Sequence, residues 1–251
     1  MVCKNCKRLL PQQINFCNGC GAKVIKNRLT MRNLFEDFAY RYLNYDNQFL
    51  RTFLHLFTKP EEVIGSYING TRKKYVNVIS YFAIAITLSG FQIYFQNKFY
   101  PELVDMSSFA RSGDEKAMEG YMNFMQEFQS IVFMLIVPFY ALLSKLTFYN
   151  IKKYNFTEHL VLNMYTAAHF SILSSIIIVS CLAIGVQFST ASVVMLVLQV
   201  FYTAYVFKRI LSLSLKRILW KTVLFILLLS CVFFAIIIMG FLSVLLVKGL
   251  T

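Results

Sequence analysis

Two groups of residues in this chain have the types and spacing for chemistry. The first is Cys3, Cys6, Cys17 and Cys20, a C-x2-C-x10-C-x2-C arrangement. Each C-x2-C pair lets two thiolates converge on one ion, and Gly21 after the second pair permits the tight backbone this requires. Four thiolates close a tetrahedral shell around zinc, the donor set of a structural site with no position left for substrate. One structural zinc ion is therefore the expected cofactor. A pair of disulfides is the alternative, disfavoured by the reducing, cytosolic side argued below. So short a segment buries no core of its own, and metal binding should supply most of its folding free energy.

The second group is Glu158, His159, Tyr165 and His169, at the start of the run 154–185. No other apolar run holds a histidine or a carboxylate, so chemistry inside the apolar part would begin here. Glu158 and His169 cannot share an ion, because eleven residues of helix separate them by roughly 16 Å. Glu158 and His159 point about 100° apart, and a metal site there would need His55, Glu61 or Glu62 from elsewhere in the chain. Glu158, Tyr165 and His169 do fall on nearly one face, since seven and eleven residues are close to whole turns. Such a stripe on a membrane helix faces the bundle interior or a water-filled path. The plainer reading is structural: Thr157 caps the helix, Glu158 meets the positive end of its dipole, and His169 hydrogen-bonds to a neighbouring helix.

The elements that would position these groups are apolar helices. The 251 residues are 57% hydrophobic and 15% charged, against roughly 45–50% and about 25% in soluble domains, and the mean hydropathy is +0.57. The excess lies in blocks near 77–95, 131–149, 165–186, 189–207 and 222–247. Each is close to or above the roughly 20 residues a spanning helix needs, so the expected fold class is an all-α membrane protein with about five transmembrane helices. The expected domains are a zinc ribbon at 1–25, amphipathic helices at 26–75, and a five-helix transmembrane domain at 76–251 with an external loop at 96–130.

Charge sets the expected orientation. Thirteen of the 25 Lys and Arg precede the first span, three with Lys145 lie between the second and third, and five lie between the fourth and fifth. That puts 21 on one side and four on the other, which by the positive-inside rule places the N-terminus in the cytosol and the C-terminus outside. Basic residues beside spans meet anionic headgroups, so the net charge of +13 points to the lipid bilayer as partner and away from nucleic acid. The first long apolar run begins only after Tyr75, so no signal peptide is expected. The location expected is the inner cell membrane of a bacterium.

Within 26–75, Thr30 is placed to cap a helix carrying Leu34, Phe38 and Leu43 at helical spacing. A second helix should start at Asp46, and a third at Pro60, ended by Gly70. These helices are too charged to span; they either lie in the membrane interface or pack as a small soluble domain. In the external loop, Ser112 and Glu115 have capping-box spacing, so a helix should start there. Pro138 interrupts the second span, and Trp220 beside Lys221 has the position of an interfacial anchor. Cys181 and Cys231, in separate spans, read as small packing residues. The chain holds no phosphate-binding G-x-x-x-x-G-K-[ST], no H-E-x-x-H and no G-x-S-x-G.

The paired N-terminal knuckles, Thr52 and Pro60 in TFLHLFTKP, Gly70 and Arg72 in YINGTRKKY, and Glu158-His159 together carry a resemblance. The chain resembles a bacterial family of multi-pass membrane proteins of unknown function with an N-terminal zinc ribbon, the domain-of-unknown-function 3667 family. The likeness covers the first 80 or so residues and the Glu-His stretch. It implies the architecture and supplies no mechanism.

Three functions follow as expectations. The first is a non-enzymatic membrane adaptor whose zinc-stabilised module docks a cytosolic or membrane protein. The second is a carrier or channel for a small solute or ion along the Glu158, Tyr165, His169 face. The third is a membrane enzyme with a metal at Glu158 and His159 near the cytosolic interface; enzyme activity is the less favoured class.

Overall fold

A computed structural model describes residues 1–11, 14–22, 24, 30–31, 48–104, 120, 124 and 127–249. The chain forms two compact units, Met1–Asn47 and Gln48–Thr251. In the first, the two cysteine pairs are built alike. The Lys7 amide donates to the Cys3 carbonyl (2.9 Å) and the Cys3 amide to the Arg8 carbonyl (2.9 Å); Gly21 to Cys17 and Cys17 to Ala22 repeat this at 2.8 Å each. Both turns pass through the left-handed region, at Lys7 with φ 60° and at Gly21 with φ 70°. Glycine adopts that conformation freely, whereas a lysine is strained there. Val2 and Leu9 form an isolated antiparallel bridge, and Leu10 is buried with Cys3 and Cys17.

Among its described residues the second unit is entirely helical: α1 Gln48–Thr58, α2 Pro60–Ile68, α3 Val78–Phe99, α4 Pro101–Val104, α5 Gln129–Thr147, α6 Phe156–Ala183, α7 Phe188–Leu211 and α8 Leu215–Gly249. Apolar helices stand at all five expected positions. Four are long and apolar enough to cross a membrane, and the fifth, Ile131–Thr147, is a shorter apolar helix. α5 ends at Thr147, leaving Phe148 and Tyr149 outside it. Large apolar side chains on α7 and α8, among them Val193, Leu196, Phe201, Leu219 and Phe233, are exposed. A surface that apolar calls for hydrocarbon around it, and the four long helices fit a multi-pass membrane protein.

α6 is the centre of the bundle, packed against α1, α2, α3, α5 and α7. Its start is fixed by a capping box: the Asn155 side chain accepts from the Glu158 amide (2.9 Å) and the Glu158 carboxylate accepts from the Asn155 amide (2.7 Å). The cap is thus Asn155 and not Thr157, because only the residue three before Glu158 can exchange both hydrogen bonds.

Residues 48–68 pack onto the bundle through one face. Leu56, Val63 and Ile64 are completely buried in the same core as Tyr81, Tyr165, Ile172 and Val206. The last carbonyls of α1 lack helical partners, and α7 satisfies two of them: Tyr202 donates to Leu56 (3.2 Å) and Tyr205 to Phe57 (2.8 Å). The helices expected after Thr30 and after Ser112 lie outside the described residues.

The residues singled out as motif marks hold the join from α1 to α3. Thr52 is completely buried; its hydroxyl donates to the Gln48 carbonyl (2.6 Å) and accepts from the Val76 amide (3.0 Å). Pro60 begins α2, Gly70 follows its end with φ 88°, and the Arg72 guanidinium lies 3.9 Å from the centre of the Tyr67 ring. Thr52→Val keeps the shape but leaves the Val76 amide unpaired, so it should cost about 1–3 kcal/mol. Gly70→Ala should cost about 1 kcal/mol through its backbone conformation. Thermal unfolding of purified protein in detergent micelles reads both, and Thr52→Ser should be far milder than Thr52→Val.

Candidate functional site

The four N-terminal thiols come together as their spacing implies. Cys3 and Cys20 Sγ are 3.7 Å apart and Cys6 and Cys17 Sγ 3.6 Å, and all four atoms lie within 4.8 Å of one another. All four cysteines are free thiols. A zinc–sulfur distance of about 2.3 Å in a tetrahedron puts sulfurs about 3.8 Å apart, so the cluster has the right size for one ion. Cys17 Sγ also accepts from the Gly19 amide (3.3 Å).

The surroundings ease ionisation unevenly. The Asn5 side chain, then the Ala22 amide, pull the Cys20 thiol down to about 6, and the Cys20 and Gly19 amides lower Cys17. At Cys6 the Arg8 amide also lowers the thiol, but hydrogen bonds with Cys20 and Cys17 outweigh it and push it up to about 11. Crowded thiols cannot all carry charge unaided, and a divalent cation removes that conflict.

In the second unit, the described groups of Glu158, His159, Tyr165 and His169 do not converge. Glu158 is half-buried at the start of α6 and taken up by its capping box. His159 is buried, with Nδ1 3.0 Å from Ser144 Oγ; Asn163 donates to the same oxygen (3.0 Å) and to the His159 carbonyl (2.8 Å). The further candidates are also engaged: His55 Nδ1 is 2.8 Å from the Tyr75 hydroxyl, Glu61 pairs with Arg209, and Glu62 with Lys74. Among the described residues, the N-terminal thiols are the one group of three or more His, Cys, Asp or Glu close enough to share an ion.

His169 sits in a cage of rings. It is completely buried, with ring centres of Phe57 at 4.3 Å, Phe53 at 4.8 Å and Tyr202 at 5.4 Å. Nδ1 is 2.9 Å from the Tyr81 hydroxyl, and Nε2 makes no hydrogen bond. Tyr165, on the same face, is completely buried and donates to the Val76 carbonyl (2.7 Å). The face read as a possible path is therefore filled by α1 and α3.

The open space lies elsewhere. A cavity of about 390 Å³ is lined by α3, α5, α6 and α7, with Ser89, Gln92, Gln129, Ser171, Ser192 and Gln199 among its walls. A smaller one of about 140 Å³, with Asn163, Thr166, Thr203 and Lys221, shares Tyr140, Ala167, Leu196 and Gln199 with it. These residues were missed because a single Ser or Gln in an apolar run reads as tolerated; the available signal was that every span carries one.

Residues 46–90 match the model of a family described as "Protein of unknown function (DUF3667)". The match covers α1, α2 and the first half of α3, including Thr52, Pro60, Gly70 and Arg72. No curated protein and no solved structure matches the chain.

If the His169 cage is packing, the pair can be replaced by apolar rings. His169→Ala should cost about 2–5 kcal/mol through the void it leaves, and Tyr81→Phe about 1–3 kcal/mol by stranding Nδ1. The double variant Tyr81→Phe, His169→Phe should recover most of the His169→Ala loss in thermal unfolding. A double variant no more stable than His169→Ala would contradict this account.

Proposed function

We propose that the bundle anchors a zinc-stabilised docking module on the cytosolic side of a bacterial inner membrane, and that the protein works as an adaptor. The observation that carries this reading is the thiol cluster, four sulfurs at the spacing of one zinc tetrahedron. Cys3, Cys6, Cys17 and Cys20 would hold the ion, and its chemistry there is structural: with four protein ligands it offers substrate no place.

The charge pattern supports the orientation. Lys153 donates to the Ile210 carbonyl, Lys221 to the Thr147 carbonyl, and Arg209 pairs with Glu61. The ends of α5 and α7 and the start of α8 thus gather cations at one end of the bundle, where anionic headgroups would meet them. The C-terminus would then lie outside.

Zinc per chain tests the module. Elemental analysis should give about one zinc per native chain and none in a Cys17→Ser, Cys20→Ser variant whose bundle still unfolds at the native temperature. Acid should release the metal, since protons compete for the thiolates. Zinc retained by the folded variant would overturn the assignment of these ligands. For the adaptor role, photo-crosslinkers at exposed Lys4 and Asn18 should capture a discrete protein in native membranes, and the Cys variant should lose it. Capture of nothing at either position would remove the docking role.

A further inference from the structure

The larger cavity goes beyond the docking reading and does not rest on it. Four helices each turn uncharged polar side chains toward it: Ser89 and Gln92 from α3, Gln129 from α5, Ser171 from α6, and Ser192 and Gln199 from α7. Ser89 and Gln92 are more than nine-tenths buried. Within an apolar bundle each such group is costly unless it is satisfied internally or faces a polar space. Part of the set is satisfied: Ser89 Oγ and Ser171 Oγ are 2.7 Å apart, and Gln92 donates to Gln96 (3.0 Å). Part is not, since Gln129 Oε1 and Ser192 Oγ are shielded from solvent and make no hydrogen bond. Helix packing alone gives no reason for two unpartnered groups beside the same cavity.

The lining also defines the chemistry. None of its described residues is Asp, Glu, Lys, Arg or His, so nothing there compensates an ion stripped of water. Serines and glutamines both donate and accept, which suits hydroxyl groups that do the same. Phe133, Phe170 and Phe188 supply apolar walls for a carbon skeleton. The volume of about 390 Å³ falls in the range of small-molecule sites, roughly 300–1,000 Å³. We infer that this cavity is a binding site for a small, neutral, multiply hydroxylated molecule, held by Gln129, Ser192 and Gln199.

Erythritol, a neutral four-hydroxyl probe, tests this on the full chain in lipid nanodiscs. Ser192→Cys places a thiol on the cavity wall with little change in size, and peptide-level mass spectrometry follows its modification by N-ethylmaleimide. Erythritol should slow the modification along a saturating curve, about fivefold at four times its dissociation constant. Sodium chloride of equal osmolality should not. Adding Gln129→Leu should abolish the protection, and size-exclusion profiles should show both variants folded. A thiol that never reacts, a rate indifferent to erythritol, or equal slowing by salt would overturn the site and leave a cavity for water alone.

Discussion

A polar group withdrawn from water into this bundle has to find its partner there, because hydrocarbon offers none. His169 shows how far the fold goes to meet that condition. One nitrogen is matched to the Tyr81 hydroxyl, and the ring is enclosed by Phe53, Phe57 and Tyr202. Four helices, α1, α3, α6 and α7, thus meet at one imidazole. Rings give much contact area for little lost side-chain freedom, which makes them efficient at filling the join of helices that cross at different angles.

The same condition explains why two charged helices belong to the core of a membrane bundle. α1 and α2 carry Arg51, His55, Glu61 and Glu62, yet Leu56, Val63 and Ile64 are completely buried. The amphipathic pattern divides the labour: one face enters the bundle and the other keeps its charges at the rim, where Glu61 meets Arg209 and Glu62 meets Lys74. Those ion pairs are exposed and each contributes about 1 kcal/mol at most. What secures the helices is burial, together with the Thr52 hydroxyl linking Gln48 to Val76 and the two tyrosines of α7 that donate to the carbonyls of α1.

Much of this was legible in local pattern, and the rest was not because it depends on distant partners. The cysteine spacing anticipated a cluster of four thiols, and the blocks of apolar residues anticipated the long helices, since both signals are complete within a few turns of chain. Thr52, Pro60, Gly70 and Arg72 stood out as a motif, but the Thr52–Val76 hydrogen bond that gives Thr52 its role closes over 24 residues. His169 drew notice as a lone histidine in an apolar run; Tyr81 is 88 residues away, and no periodicity names it. The cap of α6 was misplaced by two residues because Thr157 and Asn155 are both good caps, and the choice rests on the reciprocal bond with Glu158. Lys7 gave no sign of its left-handed turn, since a lysine there carries no compositional mark.

Helical geometry then accounts for the separation between the packed and the open parts of the bundle. Positions 167 and 171 of α6 stand about 160° around the helix from position 169. The face bearing Tyr165 and His169 is sealed by α1 and α3, while the face bearing Ala167 and Ser171 borders the cavity between α5 and α7. A polar stripe read from α6 alone could not reveal which side was open, because both faces carry groups able to hydrogen-bond. The neighbours decide it: one side is met by Phe53, Phe57 and Tyr81, and the other by Gln92, Gln129 and Gln199. Rings close space by filling it, whereas flexible amides at the end of two methylenes leave room between them and line it with donors and acceptors. The histidine that attracts attention in the sequence therefore rigidifies the bundle, and the chemistry open to a small molecule belongs to side chains too ordinary to be noticed singly.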